Sequence, residues 1–375
     1  MNKELLRKKI DTIAQYDLDE NNVFGSAYAV TQNGETVIER YYGYTDSTKE
    51  EKVSADTLYR ICSMTKPVTT VATLIMVDRG LLSLSDPVKK YIPEFENIHI
   101  IDKDGNDLGK PKHELRLSDM LAHVNGFGTA VGEKMPRMTE DDRATMGNTV
   151  SYFLREGLDF EPLSRQAYTA YASFDAVALI IQKLTGKNFE EFLQEEIFIP
   201  CGMKDTTYIP TENQWERIIA LHEKADGESK ESQISPNCVF ENIPATHMVA
   251  GAGLISSLTD YMKFSLILLT GKAGDKTILS EKAIKLLSTG FAPEEVMPGH
   301  TQWGLGVRVI TKNGHPHLPK GSFGWSGAYG SHFWVDPVNK ITAVFMKNSR
   351  FDGGANNASA TRFEKAVKSA LGSGN

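Results

Sequence analysis

The chain has 375 residues, 41% of them apolar and 24% charged, and a formal net charge of −7. That length supports one large domain or two around a sizeable core. The acidic balance and the lack of a basic cluster exclude nucleic acid and anionic membrane as expected partners. Three distant cysteines, Cys62, Cys201 and Cys238, suggest neither a disulfide framework nor a zinc site.

Met1 to Glu20 is charged and amphipathic, without the apolar core of a signal peptide. No window approaches the run of about 18 apolar residues that a membrane span requires. The expected setting is therefore cytoplasmic. Leu5, Leu6, Ile10 and Ile13 recur at helical spacing and predict a surface helix over residues 3–16. Two strand-like runs follow, 26–30 and 36–41, separated by Asn33-Gly34, a strong hairpin signal. From Met64 to Arg79 apolar residues cover nearly every side, which predicts a buried helix ending at Gly80.

Residues 102–107 read as a polar turn, and 117–123 as a short helix ending near Asn125-Gly126. Residues 130–148 show little periodicity and suit a loop or small helices over a pocket. Buried helices are expected from Phe174 to Leu184 and from Phe189 to Ile199, the latter stopped by Pro200. Residues 222–237 are polar, a surface loop or hairpin. A helix over 258–269 precedes strand-like runs at 305–310, 331–335 and 341–346, and residues 358–371 close the chain as a helix. The expected fold class is α/β of the α+β type, an antiparallel sheet flanked by helices. Residues 1–90 and 240–375 are expected to build the sheet domain, and 91–239 a mostly helical insertion, with the active site between them.

One short stretch carries chemistry. In Ser63-Met64-Thr65-Lys66, a hydroxyl and an amine stand three residues apart, one turn along the same helix face. A serine hydroxyl needs a base, and a desolvated lysine supplies one. The unpaired N–H groups of a helix start favour the negative charge that develops at the serine. The same pattern also fits an ordinary capped helix start. No Gly-x-Ser-x-Gly elbow, His-Glu-x-x-His, P-loop or complete Gly-x-Gly-x-x-Gly occurs. His123, His222 and His247 are isolated and read as satisfied polar residues, so no metal and no cofactor are expected.

Several segments in order resemble the serine β-lactamase and penicillin-binding family, in particular its class C β-lactamase and family VIII esterase branch. Residues 60–91 resemble the nucleophile helix of that family. Leu121-Ala122-His123-Val124-Asn125-Gly126 resembles its His-Thr-Ser-Gly segment, and Pro200-Cys201-Gly202-Met203 its Pro-Leu-Gly-Met turn. Gly251-Ala252-Gly253-Leu254 and Trp303-Gly304-Leu305-Gly306 also match. The resemblance implies a β-lactamase/transpeptidase-like fold with Ser63 as nucleophile and Lys66 as general base. It implies a tyrosine that moves the proton: Tyr168, six residues after Pro162, with Tyr171 in reserve. The asparagine of the family's Tyr-x-Asn motif is missing after either one. Trp325-Ser326-Gly327 stands at the substrate-binding edge strand, where relatives carry Lys or His at the first position. The backbone N–H groups of Ser63 and Ala328 form the implied oxyanion hole.

The function so implied is a serine hydrolase working through an acyl-enzyme, most simply a carboxylesterase on small esters with possible acyl transfer. A D-amino-acid peptidase or β-lactamase is the amide-cleaving alternative, with Arg308, His315 or Arg350 replacing the missing cation. A penicillin-recognising sensor or non-catalytic binding protein is a third. The expected partner is a small-molecule ester or amide; oligomeric state is not legible in the sequence.

Overall fold

A computed structural model describes residues 1–129, 134–235 and 237–372. Asn33 and Gly34 both take positive φ, 56° and 83°. That is the backbone a two-residue hairpin needs to match the twist of its strands. It joins strands Gly25–Gln32 and Glu35–Gly43. These two form one edge of a seven-stranded sheet whose other five strands come from the last quarter of the chain. The spatial order is Thr301–Trp303, Arg308–Ile310, Phe323–Ser326, Gly330–Asp336, Ile341–Asn348, Gly25–Gln32, Glu35–Gly43. Every neighbouring pair is antiparallel, as the sequence predicts.

Side chains on a strand alternate between faces, and both faces of this sheet are covered. Tyr28, Val30, Trp334 and Phe345 pack beneath the first and last helices, Lys3–Asp19 and Ala358–Gly372. Ala27, Ala29, Phe333 and Val344 join the main core on the opposite face, with the helices Thr65–Asp78 and Leu258–Thr270. The first helix is thus half-buried through Leu6, Ile10, Ile13 and Ala14. It runs three residues past the expected end.

Three expected elements differ in detail. The helix predicted from Met64 begins at Thr65, after a 3-10 turn at Cys62–Met64. The helix predicted over 189–199 is a short α-helix, Phe189–Leu193, followed by a wide turn, Gln194–Phe198. The run 305–310 is a strand only at Arg308–Ile310, because Leu305 turns back and its carbonyl accepts the Thr70 hydroxyl at 2.9 Å. Within 91–239 the longest elements are the helices Met146–Glu156 and Ala172–Thr185, and a small hairpin spans 222–231. Of the uncertain stretch 130–148, residues 130–133 lie outside the described residues; helices Glu140–Ala144 and Met146–Glu156 occupy its later part.

Candidate active site

Ser63 sits where a short strand becomes a buried helix. Strand Leu58–Arg60 pairs with Ile255–Ser257. The Asn348 side-chain amide both accepts from the Arg60 N–H and donates to its carbonyl, each at 2.9 Å. This ties the turn to the central sheet. Cys62 then takes φ 47°, a left-handed conformation that is rare outside glycine and that reverses the chain into the helix. The helix Thr65–Asp78 is buried from Thr65 to Met76. A nucleophile at the mouth of such a helix is rigidly held.

Lys66 is fully buried, and its Nζ has three neighbours: Gly251 O at 2.8 Å, Ala170 O at 3.1 Å and Ser63 Oγ at 3.2 Å. Burial lowers its pKa to about 7, against a smaller upward pull from Asp175 and from Cys62. The two carbonyls can only accept. A neutral amine therefore spends both hydrogens on them and directs its lone pair at the Ser63 hydroxyl. That is the arrangement a general base requires. Ala170 fills the place where the resembled family has asparagine, and here its backbone carbonyl holds the lysine. Gly251 lies so close to Ala170 that a Cβ on it would stand 2.2 Å from the Ala170 carbonyl oxygen.

Tyr168 reaches the same point from the other side. Its hydroxyl accepts from Trp325 Nε1 at 3.0 Å, and Lys66 Nζ lies 4.8 Å from its ring centre. Burial raises its pKa, partly offset by the Ser63 and Trp325 side chains beside the oxygen. The group is thus a phenol at neutral pH, suited to donating a proton rather than taking one first. Tyr171 points elsewhere. It is 2% exposed and packs with Ile243, Val249 and Phe240. Of the two candidates, the structure brings Tyr168 to Ser63 and leaves Tyr171 in an aromatic cluster.

The strand Phe323–Ser326 brings Trp325 into an aromatic wall with Trp303 and Tyr168, ring centres 4.5 and 5.3 Å away. Leu163, Phe291 and Met297 extend that apolar surface. Ser326 alternates to the opposite face. Its Oγ lies 2.8 Å from His332 Nδ1, whose Nε2 meets Glu364 at 3.1 Å, so the hydroxyl is buried away from Ser63. Gly327 needs its missing side chain: a Cβ there would lie 2.5 Å from the Ile61 carbonyl oxygen. This close approach sets the strand end at Gly327 against the turn that carries Ser63. Burial pushes the Cys62 thiol up to about 12, and its Sγ lies 3.7 Å from the Arg60 carbonyl oxygen.

The cations considered as substitutes for a binding lysine are engaged. Arg308 bonds Asn356 and lies 3.7 Å from Glu364. His315 lines a separate cavity beside the C-terminal helix. Arg350 pairs in bidentate fashion with Glu241, at 2.9 and 3.0 Å. It does line a cavity of about 440 Å³ that includes Ala328, Tyr171 and Phe240.

Some neighbours of the site were not singled out by sequence. Asp175 stands fully buried in the first turn of the helix Ala172–Thr185 and faces His247. A carboxylate opening an otherwise apolar helix was the available signal. His123 is also fully buried: its Nδ1 accepts the Thr169 N–H at 3.1 Å, and its ring lies 4.7 Å from that of Tyr168. The expectation of a satisfied residue fits His222 and His247, which bond at both ring nitrogens. It does not fit His123, whose Nε2 has no hydrogen-bond partner.

Known proteins resemble this chain over most of its length. The family model described as Beta-lactamase matches residues 10–366. Protein Rv1367c of Mycobacterium tuberculosis is 25% identical, over 88% of this chain and 86% of its own. Esterase EstB of Burkholderia gladioli is 23% identical, over 93% of this chain and 92% of its own. Among solved structures, EstCE1, described as a hydrolase with promiscuous acyltransferase activity, superposes with a TM-score of 0.83. It shares 19% identity and covers 98% of this chain and 99% of its own.

Proposed function

This chain belongs to the beta-lactamase family, and from that premise we propose that its serine hydrolase chemistry is that of a carboxylesterase. Ser63 is the nucleophile, Lys66 its base and Tyr168 the acid. The observation that carries the proposal is the pair of carbonyls, Ala170 O and Gly251 O, which leave the lone pair of neutral Lys66 facing Ser63 Oγ. Ser63 passes its proton to Lys66 and attacks the ester carbonyl. The oxyanion lies between the N–H groups of Ser63 and Ala328, a contribution of about 3 kcal/mol per donor. Tyr168 protonates the leaving alkoxide and is reprotonated from Lys66. Water then attacks the acyl-enzyme with Lys66 again as base; an alcohol in its place gives acyl transfer.

Ester rather than amide follows from Trp325. An indole offers an apolar wall and one N–H, and that N–H is already given to Tyr168. An indole carries no positive charge with which to bind a substrate carboxylate. In this reading residues 1–90 and 240–375 form the sheet-bearing half and 91–239 the helical insertion. The substrate approaches Ser63 along the wall that Tyr168 of the insertion and Trp325 of the sheet form together. A second reading, D-amino-acid peptidase or β-lactamase, draws support from Arg350 beside Ala328 in the neighbouring cavity.

The test uses a short-chain p-nitrophenyl ester and a chromogenic cephalosporin, with wild type and Ser63→Ala. Rapid ester turnover that is lost in the variant supports the proposal. Faster cephalosporin than ester turnover favours the second reading. A stable acyl-protein without turnover identifies a sensor, and equal ester turnover in Ser63→Ala removes Ser63 from the mechanism.

A further inference from the structure

One buried polar side chain beside the site has no part in the mechanism above. His123 is fully buried just after the helix Leu117–Leu121 and takes φ 57°, in the left-handed region. Its backbone carbonyl accepts the Ala167 N–H at 3.1 Å, and its ring Nδ1 accepts the Thr169 N–H, also at 3.1 Å. The residue between those two N–H groups is Tyr168. The neighbouring Val124 carbonyl accepts the Leu163 N–H at 2.8 Å and extends the same seam. The His123 ring itself lies against the Tyr168 ring, centres 4.7 Å apart, with Trp303 at 4.4 Å.

We infer that His123 is a positioning residue for the acid step proposed above: it clamps the chain on both sides of Tyr168 and so fixes where the phenol stands over the leaving group. Residues 163–171 belong to no helix or strand, so no regular ladder of hydrogen bonds holds the Tyr168 backbone. Its hydroxyl is held at the far end by Trp325 Nε1. The near end depends on the His123 carbonyl and Nδ1.

The imidazole is well suited to this task. A ring nitrogen that accepts an N–H carries no hydrogen of its own. His123 is therefore the neutral tautomer with its hydrogen on Nε2, and burial and the nearby Lys66 both disfavour the imidazolium. That Nε2 has no hydrogen-bond partner among the described residues. A buried N–H without a partner is destabilising, and so is left-handed backbone at a residue with a Cβ. Both penalties persist where Nδ1 meets the Thr169 N–H. Thr169 is fully buried, so without that acceptor its N–H would be orphaned or the segment would shift. Proton transfer is sensitive to such a shift: about 1 Å of misplacement costs about 10²-fold in rate.

This inference rests on Tyr168 as the acid, and the choice of leaving group tests the two separately. An alkoxide is a strong base and leaves only with a proton, whereas p-nitrophenoxide is a weak base and leaves without one. The quantity compared is kcat/KM for the ethyl and the p-nitrophenyl ester of the same short acid, which share one acyl-enzyme. His123→Phe keeps a ring but loses the Nδ1 acceptor. Its kcat/KM should fall about 10²-fold for the ethyl ester and less than about threefold for the p-nitrophenyl ester. His123→Asn places a side-chain oxygen near the Nδ1 position and tolerates left-handed backbone, so the ethyl ester should recover to within about fivefold of wild type. Equal losses on both esters in His123→Phe overturn the inference, as does a His123→Asn no better than His123→Phe. If the phenylalanine variant does not fold, His123→Leu, smaller and equally without an acceptor, takes its place. In the wild type, ¹⁵N NMR should show a coupling between the Thr169 amide nitrogen and His123 Nδ1 across their hydrogen bond, and its absence overturns the inference too. Tyr168→Phe, measured alongside, should show the same selective loss. A selective loss there but not in His123→Phe sinks the positioning role alone; equal losses in Tyr168→Phe remove the acid reading, and the inference with it.

Discussion

In the proposed mechanism, burial and three contacts make Lys66 the base. Burial lowers its pKa to about 7, and the two carbonyls orient what remains. The sign of the pH dependence follows. The reactive form is the neutral amine, so ester kcat/KM rises with pH through about 7 and levels off above it. A profile flat from pH 5 to 9 would contradict this. Lys66→Met should lose on the order of 10³-fold in kcat. Trp325 makes a separate contribution, because its N–H supports the Tyr168 oxygen at 3.0 Å. Trp325→Phe keeps an aromatic wall but deletes that donor. Steady-state kinetics should show kcat falling about tenfold with KM nearly unchanged, since the lost hydrogen bond strengthens only as charge develops on Tyr168. A change confined to KM would make Trp325 a binding wall alone.

At the scale of elements, the site depends on three pieces of chain meeting edge to edge. The turn that carries Ser63 is tied to the strand Ile341–Asn348 by Asn348, and the strand Phe323–Ser326 abuts it through Gly327. Gly327→Ala places a methyl group 2.5 Å from the Ile61 carbonyl oxygen, so either the turn or the strand must move. Ala328 follows directly, and its N–H would leave the position proposed for the oxyanion. Esterase kcat should fall by about 10²-fold, while circular dichroism shows the sheet intact. Full activity in this variant would mean that Ala328 N–H takes no part. Much of this level was legible in the sequence. Asn33-Gly34 announced its hairpin, and the apolar run after Lys66 announced a buried helix. The turn at Cys62 was not legible, because a left-handed cysteine leaves no mark in composition or periodicity; the Asn348 clamp that holds the turn in place is made 288 residues away in sequence.

Over the whole molecule, the two chain ends build one face of the fold. Phe363 of the C-terminal helix is fully buried and meets Tyr28, Trp334 and Phe345, three residues from three different strands. Phe363→Ala should cost about 3–5 kcal/mol in urea denaturation, yet leave kcat of the folded fraction unchanged, because that face of the sheet is opposite the site. The sequence by itself determined the antiparallel fold, the family resemblance and the pairing of Ser63 with Lys66, all of which reside in local pattern or in motif order. Only the tertiary structure placed Tyr168 beside Lys66 and Trp325 and Tyr171 in a separate aromatic cluster, turned Ser326 toward His332, and set Asp175 against His247. Those outcomes depend on which side chains distant segments bring within hydrogen-bonding reach, and a linear pattern does not carry that distance.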